Sequence, residues 1–124
     1  ANDPVYAQAF ARIEADANNE ILVGVAETGE IVACLQLTLI PGLTRRGATR
    51  AQIEAVRVAR DARGRGVGAA LMRFAMARAA TRGASLAQLT SDATRGRAHA
   101  FYARLGFAPS HLGFKRALTQ EDAR

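Results

Sequence analysis

The stretch Arg63-Gly64-Arg65-Gly66-Val67-Gly68 stands between an apolar segment and a long amphipathic one, and it concentrates glycine, positive charge and a helix start in six residues. Glycine lets backbone N–H groups approach an anion with no Cβ in the way, and the following helix aims its unpaired amides and positive dipole end at the same point. The stretch is suited to holding phosphate. A P-loop requires Gly-Lys-Ser/Thr after the glycines, but Ala69, Ala70 and Leu71 follow Gly68, so that reading is excluded. A dinucleotide fingerprint matches literally through Gly64, Gly66 and Ala69, yet it belongs directly after a first strand. Here Ala59, Arg60, Asp61, Ala62 and Arg63 intervene, and no acid occurs at the expected distance of about 20 residues.

A chain of 124 residues has room for one hydrophobic core, so one domain over 1–124 is expected. The composition, 49% hydrophobic and 23% charged, is that of an ordinary globular domain, and no apolar run is long enough to span a bilayer. A single cysteine, Cys34, forms no internal disulfide, and no signal-peptide pattern is seen at the N-terminus, which points to a reducing cytoplasm. The net charge of +6 is almost wholly arginine, with Lys115 the one lysine, and it favours anionic partners. A nucleic-acid module would interleave exposed aromatics with that charge or carry a fold signature, and neither is visible. With two histidines and no ligand spacing, no metal site is expected.

Asp3-Pro4 reads as an N-cap with proline at the first helical position, and Tyr6, Phe10 and Ile13 share a face of the helix that follows. Segments 20–26 and 31–40 read as an antiparallel hairpin closed by the turn 27–30, and 43–50 as an exposed basic loop with Arg45, Arg46 and Arg50. Strand 51–58 leads to the glycine stretch. A helix with Val67, Ala70, Leu71 and Phe74 on its apolar stripe then ends at Gly83. Strand 86–90, helix 95–105 and short strands at 107–109 and 114–118 complete the chain. This order predicts a mixed α+β fold, a largely antiparallel sheet with helices on its faces.

Ile53-Glu54-Ala55-Val56-Arg57-Val58, then Arg63-x-x-Gly66-x-Gly68, then the run from Ala98-His99-Ala100-Phe101-Tyr102 to Gly106-Phe107 together resemble the core motifs of the GNAT superfamily of N-acetyltransferases. The resemblance is specific from about Ile53 to Phe107. It implies a three-layer α/β/α arrangement, and it implies that the family's first strand and helix are missing ahead of Ala1, leaving an edge strand exposed or supplied by a partner chain.

For function, the resemblance implies transfer of an acetyl group from acetyl-CoA to a primary amine by direct attack through a tetrahedral intermediate. Backbone amides of Arg63, Gly64, Arg65, Gly66, Val67, Gly68 and Ala69 would grip the CoA pyrophosphate, with Arg63 and Arg65 adding charge. The strand holding Val56, Arg57 and Val58 would splay from its neighbour and offer backbone groups to the pantetheine arm, and an N–H there would serve the oxyanion. Asp92 and Arg95 are secondary cofactor contacts; many family members have Asn at the position of Arg95. Tyr102 resembles the family's acid toward the leaving thiolate, a task that suits a phenol of ordinary pKa, about 10.

Glu54 is the candidate general base, because a carboxylate in an apolar strand is costly unless paired or functional. An acid here is alternatively structural, and Arg57 would be its partner only if a bulge altered the strand alternation. The resemblance allows a homodimer and implies a small-molecule or peptide amine as acceptor, in a pocket built from loops such as 43–50 and 111–113. Two alternatives stay open: an acyl-CoA-binding regulatory domain without catalysis, and a basic nucleic-acid-binding module resting on Arg45, Arg46 and Arg50.

Overall fold

The computed structural model describes residues 3–124, so Ala1 and Asn2, where the sequence starts, lie outside the described residues. The chain divides into two compact units, one running to Leu89 and one comprising Thr90–Arg124.

The first unit holds helix α1 (Pro4–Ala15), strands β1 (Asn19–Val25) and β2 (Ile31–Pro41), a one-turn helix α2 (Thr44–Gly47), strand β3 (Thr49–Val58), helix α3 (Val67–Thr81) and strand β4 (Ala84–Gln88). The Asp3 carboxylate accepts from the Val5 amide and Pro4 occupies the first turn, the cap that the sequence announces. The strands form one sheet in the order β1-β2-β3-β4; β1, β2 and β3 are antiparallel and β4 joins β3 in parallel.

Alternation along the strands sorts the two sheet faces. Leu35, Leu37 and Leu39 of β2 pair beside Ala51 and Ile53 of β3, and all are buried against the stripe Leu71, Met72, Ala75 and Ala79 of α3. The expected stripe was one step off. Leu71 is buried, but Phe74 is 57% exposed, because the sheet takes the helix face that runs through Met72 and Ala75. On the opposite sheet face a polar row crosses all four strands in register: Asn19 beside Thr38, Thr38 beside Gln52, Gln52 beside Gln88. The Asn19 carboxamide oxygen accepts from Thr38 Oγ1 at 2.5 Å and Gln36 Nε2 at 3.1 Å, and Gln88 Nε2 donates to Gln52 Oε1 at 2.7 Å.

Glu20, at the start of β1, clamps α3 to the sheet. Its carboxylate takes Arg78 through Nε at 2.9 Å and Nη2 at 2.6 Å, and Arg82 Nη1 at 3.2 Å. The Arg78 hydrogen bonds hold the Glu20 carboxyl below its ordinary pKa, and the charges of Arg78 and Arg82 act in the same direction.

The second unit holds helix α4 (Gly96–Arg104) and a short 3-10 turn (Gln120–Ala123). The Asp92 carboxylate accepts from the Thr94 amide at 2.9 Å and hydroxyl at 2.6 Å just before α4, and the Thr94 hydroxyl is the main cause of its lowered pKa. Neither expected strand at 107–109 or 114–118 forms. Among the described residues of this unit no strand is present to pair with them, Pro109 has no N–H to give, and a short segment without a ladder partner does not hold a strand. Other departures are end effects. Strand β3 begins at Thr49, not at 51, and β4 runs Ala84–Gln88, not 86–90. The basic loop expected at 43–50 contains α2 and gives its last residues to β3.

Candidate functional site

The glycine stretch is a turn that opens directly into α3. Gly64 and Gly66 have φ of 78° and 77°, the left-handed region that costs an L-residue about 1–2 kcal/mol. A Cβ built at either position meets nothing within 4 Å, so the turn faces open space. Gly66 caps α3 with no side-chain hydrogen bond, and the first return bond of the helix is from the Ala70 amide to the Gly66 carbonyl at 3.0 Å. The amides of Val67, Gly68 and Ala69 are thus the orphan donors of a 15-residue helix. An uncapped helix start after two left-handed glycines is the kind of main-chain donor group that suits an anion. Arg65 is exposed beside them. Arg63 is partly committed elsewhere: its Nε donates to the Val58 carbonyl at 3.2 Å, closing the end of β3 onto the turn.

Strand β3 parts from β4 midway. Their pairing covers Thr49, Arg50, Ala51 and Gln52 and stops at Gln52 beside Gln88. Beyond it Ile53, Glu54, Ala55, Val56, Arg57 and Val58 have no strand on that side among the described residues. The ladder ends because β4 itself ends at Gln88, so β3 outruns its parallel partner where the resemblance implies two strands splaying apart. This leaves a backbone edge that begins at the Gln52–Gln88 rung and ends at the glycine turn.

A bulge sits in that free edge. Gln36 pairs with Glu54 and Cys34 with Arg57, so Ala55 and Val56 together oppose the single residue Leu35. Ala55 takes φ of 56°, a conformation that non-glycine residues avoid. The bulge changes which residues face out: Glu54, Ala55 and Arg57 are exposed while Val56 and Val58 are half-buried. Glu54 therefore differs from expectation. The carboxylate is on the solvated polar face, opposite buried Ile53, so it needs no partner to offset burial. The bulge that would permit an Arg57 contact is present, but no ion pair joins Glu54 and Arg57 among the described residues.

In the second unit Tyr102 lies on the last turn of α4, half-buried, with its ring edge-on to Phe101 at 5.2 Å and to Phe107 at 6.1 Å between centroids. The Phe107 amide donates to the Tyr102 carbonyl at 3.0 Å, folding the chain after Gly106 back onto the helix end. Arg95 is the N-cap residue of α4, so its backbone amide bonds the Asp92 carbonyl at 3.0 Å. The His99 ring nitrogen lies 2.7 Å from the same carbonyl, which ties His99 into the turn that starts α4.

The sequence raised a bulge only as a condition for a Glu54–Arg57 contact, and gave no sign of the polar row or of the backbone of the basic loop. In α2, Arg45 and Arg46 have φ of 52° and 62° and Gly47 follows at 77°. Only Gly47 signalled a left-handed residue.

The model of the Acetyltransferase (GNAT) family matches residues 2–107. Among solved structures, a transcriptional regulator from Bacillus halodurans C-125 is 45% identical with a TM-score of 0.89, over 94% of this chain and 77% of that one. A protein from Agrobacterium tumefaciens strain C58 is 30% identical with a TM-score of 0.85, over 95% and 81%. An acetyltransferase from Trypanosoma brucei is 27% identical with a TM-score of 0.79, over 95% and 82%. No curated protein sequence matches the chain.

Proposed function

This chain belongs to the GNAT acetyltransferase family, and from that premise we propose that it moves an acetyl group from acetyl-CoA to a primary amine. The observation that carries the reading is the uncapped start of α3, with two left-handed glycines before it and open space beside them. In this reading the amides from Gly64 to Ala69 and the Arg65 guanidinium hold the diphosphate. The free edge of β3, through the backbone of Val56 and the amide of Val58, whose carbonyl already accepts from Arg63, receives the amide-rich arm as an added strand.

When bound, acetyl-CoA supplies a thioester carbonyl open to attack. Glu54 removes a proton from the ammonium form of the acceptor, directly or through water, so that the nitrogen lone pair is free. The C–N bond would then form and the C–S bond break, and the acylated nitrogen would shed its second proton to solvent, from which the Tyr102 phenolate regains the one it gives. An N–H of the bulged segment stabilises charge on the carbonyl oxygen, and the Tyr102 hydroxyl gives its proton to the departing sulfur. Asp92 and Arg95 contribute as secondary cofactor contacts at the start of α4.

Calorimetry with acetyl-CoA, followed by thiol release across a panel of primary amines, tests this reading. Binding with turnover of at least one amine supports it, and absence of acetyl-CoA binding by folded protein removes it. A second reading, a regulatory domain that binds acyl-CoA without turnover, draws on the Bacillus halodurans relative being named a transcriptional regulator. Binding without thiol release from any amine would favour that one.

A further inference from the structure

The polar sheet face carries a charge pattern that the acetyl-transfer chemistry does not use. Arg50, Gln52 and Glu54 are alternate residues of β3 on the face opposite buried Ala51 and Ile53. Four residues of strand separate the Arg50 and Glu54 Cα atoms by about 13 Å, the span of a small molecule. The Arg50 guanidinium lies over the base of the α2 loop, where a Cβ on Gly42 would come 3.3 Å from its Nη1. From that point the loop extends Arg45 and Arg46 on left-handed backbone. No carboxylate among the described residues pairs with Arg45, Arg46 or Arg50. In the same unit Arg78 and Arg82 both have a carboxylate partner, the one they share in Glu20. Between the free cations and Glu54 lies the hydrogen-bonding row of Thr38, Gln52 and Gln88. Non-glycine residues held left-handed, with their cations unpaired, point to a ligand.

We propose that the amine acceptor also carries an anionic group, a carboxylate or a phosphate, received by Arg50 with Arg45 and Arg46, while Glu54 takes the ammonium end. This substrate class rests on the acetyltransferase reading above. The two opposite charges on one strand face select a molecule with the complementary pair. Gln52 and Gln88 supply hydrogen bonds to polar groups between its ends. A nucleic acid is the weaker fit to the same arginines, because the large side chain exposed in the loop is Leu43 and no aromatic ring stands there for base stacking.

The test is thiol release from acetyl-CoA with matched primary amines, each amine offered with a carboxylate, with a phosphate and as the neutral methyl ester or alcohol. The expected result is a kcat/KM for one anionic form at least roughly tenfold above its neutral partner, carried mainly in KM. In Arg50→Ala and in the exposed double variant Arg45→Ala/Arg46→Ala that ratio falls toward one. Arg50→Lys restores part of it. The carboxylate and phosphate arms identify which anion is read. Equal efficiency for charged and neutral members overturns the substrate class and leaves acetyl transfer standing, whereas no turnover with any amine overturns both. Salt-sensitive binding of a short DNA duplex, lost in the double variant and unaffected by the anionic amines, also overturns it.

Discussion

Gln88 Nε2 donates to Gln52 Oε1 at 2.7 Å, and this pair is the last rung of the parallel β3–β4 ladder. Past it β4 ends while β3 continues to Val58, so one side-chain hydrogen bond marks where the parallel pairing stops. Gln52→Leu leaves the Gln88 carboxamide half-buried without its acceptor and should cost about 1–3 kcal/mol, while Gln52→Leu with Gln88→Leu should cost less than the sum. Denaturant unfolding in a double-mutant cycle measures the coupling, and strictly additive losses would show that the rung holds nothing.

Gly64 and Gly66 allow a second prediction in which clash and strain separate. A methyl group at either position meets open space, so Gly64→Ala and Gly66→Ala pay only for left-handed backbone, about 1–2 kcal/mol each. Both should also weaken acetyl-CoA binding, since a relaxed turn no longer aims its amides together. Gly96, at the start of α4, has no left-handed φ and equal room, so Gly96→Ala should instead stabilise by about 0.4–1 kcal/mol. Thermal melts and calorimetry on the three variants check the contrast.

What was legible in the sequence was local chemistry. Asp3-Pro4 specifies a helix start in two residues, and the glycines before Val67 specify a left-handed turn into an uncapped helix. The motif order was sufficient to place the chain in its family. The unread features depend on partners distant in sequence. Glu20 and Arg78 lie 58 positions apart, and the row Asn19, Thr38, Gln52, Gln88 exists only once register is fixed. Ala55 has no property that announces a left-handed bulge. The segments 107–109 and 114–118 show the converse: short apolar residues beside turns read as strands, but they supply no neighbour to pair with.

Glu20 gives the pH dependence. Its folded pKa is lowered from 4.5, so the folded state binds its proton less readily than the unfolded one. The clamp therefore stabilises fully above that unfolded value, and the contribution is lost as pH falls through the lowered folded value. Arg78 is about half exposed, so solvent screening keeps the effect small. Glu20→Gln should lower stability at neutral pH and match the parent protein at strongly acidic pH. Urea titrations at the two extremes decide it, and an equal deficit at both would assign the loss to packing.

Tyr102→Phe keeps the ring that meets Phe101 and Phe107 edge-on and removes only the hydroxyl. If that hydroxyl protonates the leaving sulfur, turnover should fall by roughly 100-fold or more with acetyl-CoA affinity and melting temperature held. Steady-state kinetics beside calorimetry separates the two. Unchanged turnover would leave Tyr102 as packing for the end of α4.

Ala55 offers the last prediction, because its strain and its position point the same way. A left-handed alanine costs about 1–2 kcal/mol, and glycine would remove that cost while adding about 0.5–1 kcal/mol of unfolded-state entropy. Ala55→Gly should therefore be neutral or stabilising by up to about 1.5 kcal/mol, an unusual result for glycine inside a strand. Ala55→Val should destabilise, since a β-branched residue tolerates this φ least. The bulge at Ala55 and Val56 also turns the backbone proposed to meet the reacting carbonyl, so a looser glycine there should lower kcat more than it changes KM for acetyl-CoA. Unfolding curves and initial rates on the pair test both halves, and a destabilised Ala55→Gly would mean that the left-handed turn is not where this strand stores its strain.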